Sequence, residues 1–168
     1  MKSLRKIHKS SLNETALKPY AKSEWFLWVS EVVNRMSLLI VDPDNNFRRM
    51  LCLALEATGY TAYAVSDGDA ALASLQAART LPDVIISELA LPDWGYREFL
   101  DILRRNARTE AVPVIMMAVR DNSPDRKTAI QHGANAFLVK PFTFADLSSI
   151  LERWGLRPSS EYASCAVS

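Results

Sequence analysis

Asp42, Asp44, Glu88 and Lys140 are the side chains whose types and positions point to chemistry. Asp42 follows the apolar run Leu-Leu-Ile-Val, Glu88 follows Val-Ile-Ile-Ser, and Lys140 follows Ala-Phe-Leu-Val. Runs of this kind suit strands buried on both faces. In open parallel sheets, ligand chemistry gathers beyond the carboxyl ends of the strands. Acids and a lysine meeting there would do the chemistry of charge, with a Glu88–Lys140 ion pair as its simplest form. Other chemistries are poorly supplied. His8 and His132 are the only imidazoles, and neither neighbours a second ligand type at metal spacing. That speaks against a zinc site and against a histidine-dependent triad. The segment after the first run, Asp-Pro-Asp-Asn-Asn, has no glycine with which to cradle a phosphate.

The elements that must position these residues show as alternating patterns. Residues 38–41 form a first strand. Asp44 or Asn45 can cap a helix whose Phe47, Met50, Leu51, Ala54 and Leu55 recur at three-and-four spacing. Gly59 suits the positive φ that follows such a helix. Residues 61–65 form a second strand, and Asp67 or Asp69 begins a helix carrying Ala70, Ala71, Leu72 and Leu75. Residues 83–87 are the third strand and 97–107 the third helix, with Phe99, Leu100 and Leu103 inward. Residues 112–119 are the fourth strand, entered through Pro113, with Met116 and Met117 in or beside the core. Ser123-Pro124 opens a fourth helix that ends at Gly133. Residues 136–139 are the fifth strand, and Thr143 caps a last helix carrying Leu147, Ile150, Leu151 and Trp154, ended by Gly155 and Pro158. Strand–helix alternation on short connections implies a doubly wound α/β fold: five parallel strands in the order 2-1-3-4-5, with helices on both faces.

Composition bounds the rest. The chain has 168 residues, 49% hydrophobic and 23% charged, enough for one domain with its own core. Residues 1–35 carry seven Lys/Arg and three Glu, a net +4 that leaves −3 on the remainder. A mildly acidic body does not suggest nucleic-acid binding. Cys52 falls in a helical apolar pattern and Cys165 in a small-residue tail, so no disulfide framework is expected, which fits a reducing cytoplasm. Residues 1–22 are polar, basic and aperiodic, as disordered segments are. Residues 25–33 are strongly apolar, but a bilayer span takes about 20 apolar residues and no secretory cleavage site follows. They read as a short helix packed on the domain or a partner. Met36 directly precedes the first strand, so translation from that residue is the alternative. Arg104, Arg105 and Arg108 read as a solvated face.

Ile-Val-Asp-Pro-Asp at 40–44, the stretch 83–95, and Gly-Ala-Asn-Ala-Phe-Leu-Val-Lys-Pro-Phe at 133–142 together resemble a response-regulator receiver domain, of the CheY-like family, over residues 37–154. The resemblance implies the flavodoxin-like (βα)5 form of the fold. It also implies a pocket in which two adjacent acids hold Mg²⁺, an Asp takes a phosphoryl group from a histidine kinase, a Thr or Ser binds its oxygens and a Lys pairs with it. Asp42 matches the first acid. Pro43 stands at the second, with Asp44 one position late. Glu88 replaces the phosphoacceptor and Ala118 the hydroxyl residue. Lys140 and Pro141 match, and Phe137 holds the family's aromatic switch position. The loop from Leu89 to Gly95 is one residue short.

These departures imply a degenerate receiver. The expected organisation is an extension over residues 1–36, a receiver-like domain over 37–155 and a flexible tail over 156–168, with no fused output domain. The expected function is two-component or phosphorelay signalling in the cytoplasm by protein–protein contact, not enzymatic and independent of phosphorylation. Mg²⁺ binding is expected to be weak or lost, with Asp42 the one remaining ligand. Expected partners are a histidine kinase or another response regulator, with a homodimer as an option and neither nucleic acid nor membrane. Arg126, Lys127, Phe137 and Trp94 are the candidate partner surface; Trp94 and Tyr96 are alternatively covers for the shortened loop. Two rivals stand beside this reading: phosphorylation at Asp42 or Asp93, and a flavodoxin-like small-ligand binder. Glu88 itself carries two readings: a mimic of the phosphorylated state, or a partly exposed carboxylate paired with lysine for about 0–1 kcal/mol.

Overall fold

The computed structural model describes residues 35–121 and 123–158. The expectations for the basic head, the apolar stretch 25–33, His8, Cys165 and the tail from 159 lie outside the described residues.

Five strands and five helices alternate: β1 (Ser37–Val41), α1 (Asn45–Ala57), β2 (Thr61–Val65), α2 (Gly68–Ala77), β3 (Val84–Glu88), α3 (Tyr96–Arg105), β4 (Val114–Ala118), α4 (Ser123–Gln131), β5 (Ala136–Val139) and α5 (Phe144–Arg153). All strand pairs are parallel, in the order β2-β1-β3-β4-β5. This is the expected topology. The inner strands β1, β3 and β4 are buried on both sides, so helices must cover both faces.

Strand side chains alternate between faces with a period of two, and the two halves of the core follow that parity. Leu38, Ile40, Val84, Ile86, Ile115, Met117 and Leu138 pack with α1 and α5. Leu39, Val41, Ile85, Val114 and Met116 pack with α2, α3 and α4. Met116 and Met117 are therefore both fully buried, on opposite faces. The same parity sends the next even-numbered positions on three strands, 42, 88 and 140, towards the α1–α5 side.

Caps set where the helices begin. Asp44 accepts from the backbone N–H groups of Asn46 and Phe47, and Thr143 forms a capping box with Asp146. After α1 the chain reverses at Gly59, whose φ of 93° is open to glycine at little cost.

Several expectations are corrected. Met50 does not face the core: it is 58% exposed, as is Leu53 at 64%, because the buried stripe of α1 runs through Leu51 and Leu55. The fourth strand is shorter at both ends. Pro113 has no N–H for the ladder, Val112 N–H turns back to Thr109 O, and Val119 is exposed. The third helix stops at Arg105, where Asn106 turns extended, and Trp154 caps the last helix from outside it. The arginines are not simply solvated. Arg104 donates to the carbonyls of Gly133 (2.9 and 2.6 Å) and Val112 (3.0 Å) and to Asn135 Oδ1 (2.9 Å). Arg108 donates to Gln76 O and Ala78 O. Both tie loops to neighbouring elements at the edge away from the candidate pocket. His132 Nδ1 lies 2.8 Å from Asp101, linking α4 to α3. Cys52 is half-buried, and burial pushes its thiol above the ordinary range, with the nearby Glu56 carboxylate adding to the effect.

Phe99 is fully buried at the centre of the α2–α3–α4 half. Phe99→Ala is expected to cost about 3–5 kcal/mol, read from urea unfolding. Leu53→Ser on the exposed face of α1 is expected to change stability by no more than about 0.5 kcal/mol.

Candidate functional site

The strand register brings the charged residues together. Val41 pairs with Ser87, Glu88 with Met117, and Ala118 with Val139. Asp42, Glu88 and Lys140 thus end three strands on one rim. Asp42 and Glu88 are both buried.

Asp42 is held from several sides. Its N–H donates to Val65 O at 3.1 Å. Its Oδ1 accepts from Asp44 N–H at 2.8 Å, and its carbonyl accepts from Arg48 Nη1 at 2.5 Å. Its Oδ2 accepts from Lys140 Nζ at 2.5 Å. Glu88 Oε1 accepts from the N–H groups of Leu89 at 3.0 Å and Ala90 at 3.4 Å. Its Oε2 lies 2.6 Å from Lys140 Nζ as an ion pair and accepts no hydrogen bond. The lysine side chain is only 16% exposed. Its ammonium also lies 3.9 Å from the centroid of the Phe47 ring, which meets Phe142 edge-on at 6.0 Å.

The expectation of a partly exposed Glu88 is corrected: the residue is 6% exposed. A surface value of about 0–1 kcal/mol does not describe this pair. Desolvation makes each buried carboxylate dependent on its partner, and removal of one partner from a buried pair typically costs about 3–5 kcal/mol.

Asp44 does not join the acidic pocket. It is exposed and its Oδ1 is committed to capping α1, at 2.8 Å from Asn46 N and 3.2 Å from Phe47 N. Pro43 supplies no side-chain oxygen. Ala118 is buried beside Val139 and offers the pocket only a methyl group. Pro141 follows Lys140 across a cis bond and is exposed. Phe137 lies on the other face of the sheet, half-buried, with the Arg126 guanidinium 5.1 Å from its ring centroid. Arg126 also pairs with Asp121 at 3.2 Å, and Lys127 is exposed.

Asp93 and Trp94 are placed by α2. Asp93 accepts from Gly68 N–H at 3.0 Å and Asp69 N–H at 2.7 Å, so it neutralises free donors at the start of that helix. Trp94 Nε1 donates to Asp69 Oδ1 at 2.9 Å, and its ring lies so close to Gly68 that a Cβ there would stand 2.6 Å from Cδ1. Trp94 is therefore packed on the start of α2. Tyr96 O–H donates to Asp125 Oδ1 at 3.1 Å.

Two pocket residues were missed. Phe47 was placed in the core stripe, and its position three residues after the cap was the available signal. Nothing in the sequence marked Arg48.

A match to the family described as the response regulator receiver domain covers residues 38–152. The KDP operon transcriptional regulatory protein KdpE of Escherichia coli is 36% identical over 115 residues, 68% of this chain and 49% of that protein. The chain spans about half the length of the curated transcriptional regulators it matches. Chemotaxis response regulator CheY4 of Vibrio cholerae superposes with a TM-score of 0.66 at 31% identity, covering 71% of this chain and 98% of that one. The receiver domain of sensor histidine kinase PA1611 from Pseudomonas aeruginosa gives 0.62 at 30% identity, over 71% and 97%, and carries a magnesium ion coordinated in its active-site cleft.

The residues present here do not fit such an ion. Magnesium demands near-octahedral oxygen ligands. The oxygens of Asp42 and Glu88 are taken by Asp44 N–H, by two loop N–H groups and by the Lys140 ammonium. Among the described residues, no group of three His, Cys, Asp or Glu is placed to hold a metal.

Partial desolvation would raise the Asp93 carboxyl, but the N–H groups of Asp69 and Gly68 outweigh it and hold the group below its ordinary range. Such a group stabilises the fold fully above its unfolded value of about 3.9 and loses that contribution as pH falls through the lower folded value. Thermal melts from pH 7 downward are expected to show a constant deficit for Asp93→Ala that narrows only in that acid interval.

Proposed function

We propose that this chain, which belongs to the response regulator receiver domain family, carries signals by protein contact without accepting a phosphoryl group at residue 88. Receiver domains are in general signalling modules and not enzymes, and the reading keeps this chain within that role. The observation that carries it is the state of Glu88. One carboxylate oxygen is held by loop N–H groups and the other lies against Lys140. An attacking oxygen must reach the phosphoryl donor, and both oxygens here are buried and engaged. Ala118 adds no hydroxyl for a phosphoryl oxygen, and Pro43 no second acid. Mg²⁺ binding is accordingly weak or lost.

The rival acceptors are less well placed. Both Asp42 oxygens are committed, and Asp93 serves the start of α2. The partner is a histidine kinase or another response regulator in the cytoplasm. The surface offered is the α4–β5–α5 face, with Arg126, Lys127 and the edge of Phe137, while Trp94 lies apart from it, engaged with α2. No described helix is long and apolar enough to cross a membrane. The domain starts at residue 37 and closes at 155.

A second reading draws on the 2.6 Å pair between Glu88 and Lys140: a permanent negative charge there imitates the phosphorylated state. Glu88→Gln removes that charge and is expected to weaken partner binding; unchanged binding would discard the mimic.

Incubation with acetyl phosphate and Mg²⁺, followed by intact-mass analysis, tests the main proposal with Glu88→Asp alongside. The native chain is expected to keep its mass. A gain by Glu88→Asp alone would make Glu88 the sole lock on the chemistry. A gain by the native chain would overturn the proposal and direct mapping to Asp42 and Asp93.

A further inference from the structure

We propose that Lys140 is the resident cation of this pocket, taking the charge-balancing part of a divalent metal and making the site's integrity independent of one. The inference deepens the reading above and rests on it only in treating the pocket as unphosphorylated.

The ammonium lies between the two buried acids, 2.5 Å from Asp42 Oδ2 and 2.6 Å from Glu88 Oε2. The length of Glu88 makes this bridge: its strand-end carboxylate reaches the lysine while its other oxygen still takes the Leu89 N–H. A second cation, Arg48, sits on the Asp42 carbonyl and is oriented there by Asn45 Oδ1 at 3.2 Å. Two acids are thus matched by two bases in formal charge. A divalent ion entering here would have to displace the ammonium and approach a guanidinium, and would find no third carboxylate. Phe47 closes the remaining side of the ammonium with its ring face. Glu88 Oε2 accepts no hydrogen bond, and the charge beside it is the Lys140 ammonium.

The arrangement makes Lys140 a positioning residue whose loss leaves two buried acids facing each other. Removing one partner from a buried ion pair is strongly destabilising, because the other charge is left uncompensated. A divalent cation is then the natural replacement, since the freed oxygens are hard donors.

The test uses the full chain, thermal melts and Mn²⁺ electron paramagnetic resonance, with millimolar MnCl₂ or MgCl₂ as the probe. The native chain is expected to show no shift in Tm and to leave Mn²⁺ free. Lys140→Met is expected to lose roughly 10 °C in Tm, to recover part of it with either cation and to immobilise Mn²⁺. Immobilisation of Mn²⁺ by the native pocket, or a Lys140→Met variant as stable as the native chain, would overturn the inference. If Lys140→Met does not fold, Lys140→Met/Glu88→Gln decides: recovery of folding supports charge balance as the role of Lys140, and no recovery refutes it. Mn²⁺ binding by a native chain that takes no phosphoryl group defeats this inference alone; phosphoryl uptake mapped to Asp93, without Mn²⁺ binding, defeats only the earlier reading.

Discussion

A buried carboxylate needs a partner, and this pocket holds two of them around one ammonium. Much of the site follows from that constraint. The ammonium can serve both acids only if β1, β3 and β5 end on one level, and the parallel register sets that level by pairing Val41 with Ser87 and Ala118 with Val139. It can stay dehydrated only if something apolar covers it, which is the part of Phe47 and Phe142. The acids can remain buried only if their other oxygens are bonded, which the N–H groups of Asp44, Leu89 and Ala90 provide. Sheet register, helix placement and loop course all converge on three side chains.

The same alternation that builds the core aims the site. Even-numbered positions on β1, β3 and β5 pack against α1 and α5 until the strands end, and the next even-numbered residue of each is charged. The pocket is a continuation of one core face by other means. Along that face hydrophobic contact gives way to ion pairing where the strands run out of helix to cover them. Among the described residues, the opposite face has no such set. There the chain spends its polar groups on architecture, with Asp93 on the start of α2 and Arg104 on the carbonyls around Gly133.

The fold was legible because it rests on patterns with a short period. Continuous apolar runs and three-and-four spacing need only a window of residues, and two of five strands, residues 61–65 and 136–139, fall where those patterns put them. Boundaries that depend on the tertiary setting were less legible. Pro113, just before β4, accepts from the distant Ile85 N–H, while Asn106 ends α3 with its carbonyl accepting from the N–H groups of Thr109 and Glu110. In the site, residue types were readable and their pairing was not. Whether Glu88 is exposed, whether Asp44 faces the pocket and whether Arg48 reaches the Asp42 carbonyl all depend on side-chain direction over gaps of two to fifty residues. No local pattern records these choices. The solvated reading of Arg104 failed for the same reason, since its acceptors Gly133 O and Asn135 Oδ1 lie some thirty residues away.

The residue types at the site support one another. Pro43 carries no charge, so the pocket has the carboxylates of Asp42 and Glu88 to balance, beside one lysine and one nearby arginine. The Glu88 carboxylate reaches that lysine while its other oxygen holds the loop. Ala118 brings no polar group to the rim, where Glu88 Oε2 is balanced by the Lys140 ammonium alone. Phe137 completes the set. Its ring lies on the opposite face of the sheet, and the charged group against it is Arg126 of α4, itself paired with Asp121. The ring is thus held by the core of that face and by Arg126, on the side of the sheet away from the charged triad.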